Sequence, residues 1–315
     1  MTERYGTVYL IGGGPGDPDL LTVKSDRLIR NADVLLHDAL VGDEIIDAVP
    51  GPETEIIDVG KRADDDRRWR QEEINQCIVE KAKEESTVVR LKGGDPTVFG
   101  RGGEEAEYLA ERGVPFEFVP GITSPIAAPE LAGIPLTHRD HASSLTVVTG
   151  HEAPTKDESA LDWEALADNI VAGGTLVILM GVSRMEENLA MLEKNGVAAD
   201  TPAAVVENAA SSDGSTTVGT VETIPARSRQ AGVEPPAVVI IGDVVGVRDD
   251  IEHALLEPLP CLSTQSNLSN ELPEISPVEH AEKTRGRFEA ADLDESGTIG
   301  TASLTTGLPP DTPEP

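Results

Sequence analysis

The sequence predicts an α/β protein made of two α/β domains with mainly parallel or mixed sheets. Three observations carry that prediction. Short β-branched and leucine-rich runs alternate with helical patterns, as in a sheet covered by helices. Glycine-rich or polar clusters follow directly after the apolar runs, where open α/β sheets hold their ligands. At 315 residues the chain is long enough for two domains, each with a core.

The elements of the first half follow in order. "TVYLIG" at residues 7–12 reads as a buried strand and runs into "GGGPGD". "ADVLLHD" leads into "HDALV", "TEIIDVG" into "GKR", "STVVRLKGG" into "GGDP" and "VPFEFVPG" into "PGITS". Between the third and fourth runs, "QEEINQCIVEKAKEE" places Ile74, Cys77, Ile78 and Ala82 on one helical face. Five loops are therefore expected at one sheet edge, a stronger sign of a site than any single glycine. The polar stretch "GIPLTHRDHASS" interrupts the pattern, which resumes with "SLTVVTGH", "GTLVILMG", "TPAAVVEN" and "PPAVVIIGDVV". The expected division is an N-terminal domain over 1–138, a C-terminal domain over 142–258 and an acidic tail over 259–315. The tail is rich in Ser, Thr, Pro and acids without an apolar period, which is the composition of a disordered segment.

Composition excludes several classes of function. Fifty-seven acidic residues against 25 basic ones give a net charge of -32, which opposes a nucleic-acid or anionic-membrane partner. The same excess suits a halophilic protein whose self-repulsion is screened by salt, with an ordinary acidic protein as the alternative. Two cysteines, Cys77 and Cys261, make no disulfide framework. No signal peptide or membrane-length apolar run is read, so the expected location is cytoplasmic. No metal is expected either. His138, His141 and His151 lack partners at a recognisable ligand spacing. "DLDESGTIG" imitates a calcium loop through Asp292, Asp294, Ser296, Gly297 and Ile299, but Ser303 stands where the bidentate Glu belongs.

The first loop is not a phosphate cradle. A dinucleotide fingerprint puts glycine at its sixth position, where this chain has Asp17, and a carboxylate there would oppose an anion at a helix N-terminus. No Gly-Lys-Ser/Thr follows to make a Walker loop. "GGDP" has two readings: a simple turn, or a backbone surface against which a ligand lies beside Asp95.

Taken together, "GGGPGDP", "LKGGDPTVFGRGGEE", "VPGITS" and "GIPLTHR" resemble the tetrapyrrole methylase family, and within it the uroporphyrinogen-III C-methyltransferase branch. The resemblance runs from about Gly6 to Val247, with the motifs in the family's order. It implies that the site between the two domains takes S-adenosyl-L-methionine, a sulfonium without phosphate beside which acids are tolerable, and releases S-adenosyl-L-homocysteine. By motif, Pro15, Gly93, Gly94, Asp95, Val98, Thr123, Ser124, Met180 and Ala209 border that cofactor, with Ala209 where relatives often carry Gly. The implied reaction is methylation of uroporphyrinogen III at C2 and C7 to precorrin-2, feeding sirohaem or corrinoid synthesis, in a homodimer with a small-molecule tetrapyrrole as substrate.

The resemblance makes Asp38 of "HDALV" a proton acceptor and Lys61 of "GKR" a proton donor. The bland alternatives are a capping role for Asp38 and substrate-carboxylate binding for Lys61. The family's usual "YDRLV" is altered: His37 replaces Tyr and Ala39 replaces Arg. Arg62, Arg67, Arg68 and Arg70 are the candidates to restore cationic charge for a substrate with eight carboxylates. Two other functions fit the same residues: another methyltransferase of the family, acting on a later precorrin or on a protein as diphthine synthase, and a non-catalytic S-adenosylmethionine-binding regulator.

Overall fold

The structure is a computed structural model that describes residues 4–60, 70–154 and 160–255. Lys61, Arg62, Arg67, Arg68, Cys261 and the whole acidic tail lie outside the described residues. The five predicted N-terminal strands all form: β1 (Thr7–Gly12), β2 (Val34–His37), β3 (Glu55–Asp58), β4 (Thr87–Lys92) and β5 (Phe116–Val119). They pair in the order β3-β2-β4-β1-β5, and every pairing is parallel. Helices cover both faces, which is why the inner strands read as unbroken apolar runs and not as alternations. On one face Val8, Leu10, Val34, Leu36 and Val88 pack with Ile74, Ile78 and Ala82 of α3 (Gln71–Glu84) and Ala106 and Leu109 of α4 (Gly102–Glu111). On the other, Ile11, Leu35, Val89 and Leu91 pack with Ile29 of α1 (Val23–Arg30) and Ile45 of α2 (Asp43–Ala48).

The second sheet is mixed. β6 (Leu145–Thr149) and β7 (Thr175–Leu179) are parallel, while β10 (Ala237–Ile241), β8 (Pro202–Glu207) and β9 (Ser215–Thr220) continue it antiparallel, in the order β6-β7-β10-β8-β9. β9 has no counterpart in the sequence reading. "STTVGT" is an edge strand without a buried residue, so it lacks the apolar run by which its neighbours are recognised. α6 (Trp163–Val171), α7 (Met185–Lys194) and α8 (Ile224–Ala231) lie along the chain between these strands, and α9 (Val247–Ile251) follows β10.

One helix links the two sheets. α5 (Ser124–Leu131) begins at the end of the loop leaving β5, yet its Ala128, with Ala132 and Ile134 just beyond it, packs among Val177, Leu179, Ala204, Val206, Val238 and Ile240 of the second sheet. Ala128 and Ala132 are small, which lets the helix approach the sheet closely. At its far end the Arg248 guanidinium donates to the carbonyl of Ala132 and holds α9 against it. Both sheets belong to one compact unit. Among the described residues no helix is long and apolar enough to cross a membrane.

Candidate active site

A parallel sheet sends all its strand-end loops to one edge, so the loops after β1, β2, β4 and β5 meet there. Glycines allow them to touch through their backbones. Gly14 and Gly94 form an isolated bridge: the Gly14 amide donates to the Gly94 carbonyl at 3.1 Å and the Gly94 amide to the Gly14 carbonyl at 2.8 Å. Both have positive φ, 69° and 65°, which a side chain would strain. At Gly121 an added Cβ would stand 2.3 Å from the Gly94 carbonyl oxygen and 2.7 Å from Gly12, so three loops share one junction.

Asp95 fastens this junction. Its Oδ2 accepts the Gly121 amide at 3.2 Å, while its Oδ1 accepts the amide and hydroxyl of Thr97 at 2.8 and 2.6 Å. Gly94 lies against Thr123 and Ser124, where α5 starts, and Gly93 lies against Leu40 of the β2 loop. Pro15 sits between Gly14 and Gly16, and the position of an added Cβ on Gly42 falls 2.5 Å from the Gly16 carbonyl. The structure therefore brings Pro15, Gly93, Gly94, Asp95, Thr123 and Ser124 into one loop cluster. Val98 follows it with more than a third of its surface exposed. Asp17 accepts the Asp19 amide at 2.8 Å and caps a short 3-10 turn, so its carboxylate shapes the loop instead of facing an anion.

Met180 and Ala209 come from the second sheet, at the ends of β7 and β8. Ala209 packs in the same cluster as Ala128 and Ala132, on the helix whose first turn touches Gly94. Met180 is half exposed at 51% and has a positive φ of 53°. Among the described residues the non-glycine positions with positive φ are Phe99, Arg101, Met180, Asn208 and Ala210, all in the loops after β4, β7 and β8. Each such conformation costs about 1–3 kcal/mol and is held only where the surroundings over-determine it. Phe99 and Arg101 lie in the same loop as Gly94 of the glycine junction, while Met180, Asn208 and Ala210 mark the loops of the second sheet that carry Met180 and Ala209. Val98, Phe99 and Met180 are exposed apolar side chains of these loops and the Thr123 hydroxyl closes no cap, groups that suit a neutral or cationic organic ligand better than a phosphate.

Asp38 stands at the edge of this cluster. Leu36 of β2 is in register with Arg90 of β4, so Asp38, two residues on, points to the same face as Arg90 and Lys92. Its Oδ1 accepts from Arg90 Nη2 and its Oδ2 from Lys92 Nζ at 3.2 Å. Arg90 and Lys92 are buried, and both also donate to Glu105 Oε1 of α4, each at 3.1 Å. Burial acts to raise the Asp38 pKa, but the charges and hydrogen bonds of Arg90 and Lys92 outweigh it and hold the carboxyl below its ordinary value. Burial likewise opposes the charge on Arg90, and Glu105 followed by Asp38 overcomes it, so the guanidinium is raised further. Asp38 caps no helix: Gly42 is the N-cap of α2. The sequence reading passed over Arg90, Lys92 and Glu105. The available signal was "VVRLKGG", two cations at alternate positions of an otherwise apolar strand.

His37 is buried on the opposite face, with its Nδ1 3.1 Å from the Asp38 carbonyl oxygen. Ala39 packs against Gly60, and Arg70 lies exposed at the start of α3. His138 and His141 lie with ring centroids 4.7 Å apart and their planes tilted by 39°, and His151 is 2.8 Å from the Thr149 hydroxyl. Among the described residues no three His, Cys, Asp or Glu side chains group as metal ligands.

A family model described as Tetrapyrrole (Corrin/Porphyrin) Methylases matches residues 7–225. The chain belongs to the tetrapyrrole methylase family. Among its relatives in that family, an S-adenosyl-L-methionine-dependent uroporphyrinogen III methyltransferase of Methanosarcina barkeri is 53% identical over 249 residues, 79% of this chain and 96% of the relative. A siroheme synthase of Chromobacterium violaceum is 46% identical over 79% of this chain but only 52% of its own length. The crystal structure of a Thermus thermophilus uroporphyrin-III C-methyl transferase complexed with S-adenyl homocysteine superposes with a TM-score of 0.64 at 39% identity, over 77% of this chain and all of that one.

Proposed function

We propose that this tetrapyrrole methylase is an enzyme that transfers methyl groups from S-adenosyl-L-methionine to carbon atoms of uroporphyrinogen III, at C2 and C7, to give precorrin-2. The observation that carries the reading is the joining of the "GPGDP" and "GGDP" loops by the Gly14–Gly94 bridge, with the Asp38 carboxylate held beside them. The 53% identity to a relative named for this reaction supports the same substrate.

The bound cofactor supplies an electrophilic methyl on a sulfonium. The chain's task is alignment, because an in-line displacement gains most from holding both partners in a reactive pose. In this reading Pro15, Gly93, Gly94, Asp95, Val98, Thr123 and Ser124 hold the cofactor from the first α/β domain, and Met180 and Ala209 from the second, across the cleft between the domains. Asp38 accepts the proton that a methylated, cationic pyrrole ring releases. Its lowered pKa keeps it in the acceptor form across the neutral range, and the acidity of the methylated ring offsets its weak basicity. Lys61 is the proposed donor.

Asp38→Asn tests the assignment. Cofactor affinity by calorimetry should stay within about twofold, while the single-turnover methylation rate should fall about a hundredfold, the scale of a lost general base. An unchanged single-turnover rate would remove Asp38 from the chemistry. We further propose a cytoplasmic homodimer, which a monomer mass by light scattering at working salt would contradict.

A further inference from the structure

The inner half of the Asp38 network has no part in the mechanism above. Glu105 on α4 is 1% exposed, and its Oε1 accepts from Arg90 Nε and Lys92 Nζ at 3.1 Å and from Gln71 Nε2 at 3.2 Å. Its Oε2 is buried with no hydrogen-bond partner among the described residues. Burying a carboxylate costs several kcal/mol after relaxation, and a whole buried ion network can often be replaced by apolar residues of similar volume at no loss of stability, although removing one partner alone is costly. Packing therefore does not account for a charge at this position. The charges do: Arg90 and Lys92 are balanced by Asp38 and Glu105, and of these carboxylates only Asp38 reaches the surface, with 30% of its side chain exposed.

We propose that Glu105 is a positioning residue that acts on methylation through Asp38: it grips Arg90 and Lys92 from behind and takes up one of their two positive charges. Asp38 then faces a net single positive charge and keeps the proton affinity it needs. The inference rests on the reading of Asp38 as proton acceptor. Without Glu105 both cations would turn their full charge on Asp38, and a carboxylate facing two uncompensated cations is a poorer base. Among the described residues the Arg101–Glu104 pair at the start of α4 also reaches this network, Arg101 through the charge of Glu105 and Glu104 through that of Lys92, while the ring of His37 meets the Asp38 carbonyl and not its carboxylate.

The test uses the full chain, S-adenosyl-L-methionine and uroporphyrinogen III. Glu105→Gln keeps the side-chain shape and removes the charge. Cofactor affinity and the KM for the tetrapyrrole should change less than about threefold, while the single-turnover rate should fall at least tenfold, about 1.4 kcal/mol of transition-state stabilisation. Adding Lys92→Met restores one cation facing Asp38, and the double variant should recover at least part of that rate. A packing role for Glu105 predicts the opposite, a further loss from the second substitution, and that result would overturn the proposal. If Glu105→Gln does not fold, the charge-balanced double variant decides alone: a rate within about tenfold of the parent supports the inference, and a rate as low as that of Asp38→Asn overturns it. Placed in the Asp38→Asn background, Glu105→Gln should cost nothing more. A further loss there would show that Glu105 acts independently of Asp38, whereas a full rate in Asp38→Asn alone would strike the general-base reading itself.

Discussion

Gly121→Ala probes the loop junction on which the site depends. The new methyl would lie 2.3 Å from the Gly94 carbonyl oxygen and 2.7 Å from Gly12, both backbone, so no side chain can swing aside. Ordinary contact begins near 3.4 Å, and the loop after β5 must therefore retreat by about 1.1 Å from the loops after β1 and β4. That movement pulls the Gly121 amide off Asp95, whose bond is already 3.2 Å long, and loads the 2.8 and 3.1 Å bonds between Gly14 and Gly94. Overpacking of this kind costs about 1–3 kcal/mol, and a chain of this size loses roughly 2–4 °C of melting temperature per kcal/mol. A misplacement near 1 Å at a site that works by alignment costs about a hundredfold in rate. Cofactor affinity by calorimetry should fall about tenfold and methylation more steeply. Gly246→Ala is the control, because Gly246 has helical dihedrals and nothing within 4 Å of an added Cβ. It should bind cofactor like the parent and melt at the same temperature or slightly higher. If Gly121→Ala binds S-adenosyl-L-homocysteine within twofold of the parent and melts unchanged, the junction does not set the geometry of these loops.

Two further outcomes follow from charge. The Asp38 carboxyl has a folded pKa below its ordinary 3.8, so its pairing stabilises the native state fully above that value and the benefit is lost as pH falls through the folded pKa. The difference in urea stability between the parent and Asp38→Asn should thus be level from pH 7 to about 5 and shrink below 4; a difference that is equal at pH 3 and pH 7 would refute the pairing. With a net charge of -32, the protein should melt at higher temperature as potassium chloride is added and carboxylate repulsion is screened, and a flat or falling series would contradict a halophilic adaptation.

The strands most legible in the sequence are those buried on both faces. β2, β4 and β7 consist of buried residues apart from a partly buried Thr87, and such runs announce themselves without knowledge of their partners. β9 was illegible because an edge strand of threonines exposes one side to solvent and owes its pairing to β8, from Pro202↔Thr220 to Glu207↔Ser215. The role of α5 was hidden for a related reason. "SPIAAPEL" carries two prolines and no amphipathic period, so nothing in it says which sheet it covers. Its small side chains suit close packing, but that the second sheet supplies the surface is a tertiary fact.

The site divides along the same line. Loop motifs were readable because they are local: Gly14 and Gly94 need positive φ, and Gly12 and Gly121 need an absent Cβ, whatever surrounds them. The network around Asp38 is not local. Asp38, Arg90 and Glu105 are separated by 52 and 15 positions, and what joins them is the parallel register Leu36↔Arg90 together with the docking of α4 on that face. A register slip of one residue would turn Asp38 to the face of Leu35 and Leu91, among apolar side chains without a cation. The apolar residues that hold β2 and β4 in register thereby also hold the charge of Asp38 in place. A core substitution in these strands, far from any ligand, should for that reason disturb methylation before it unfolds the protein.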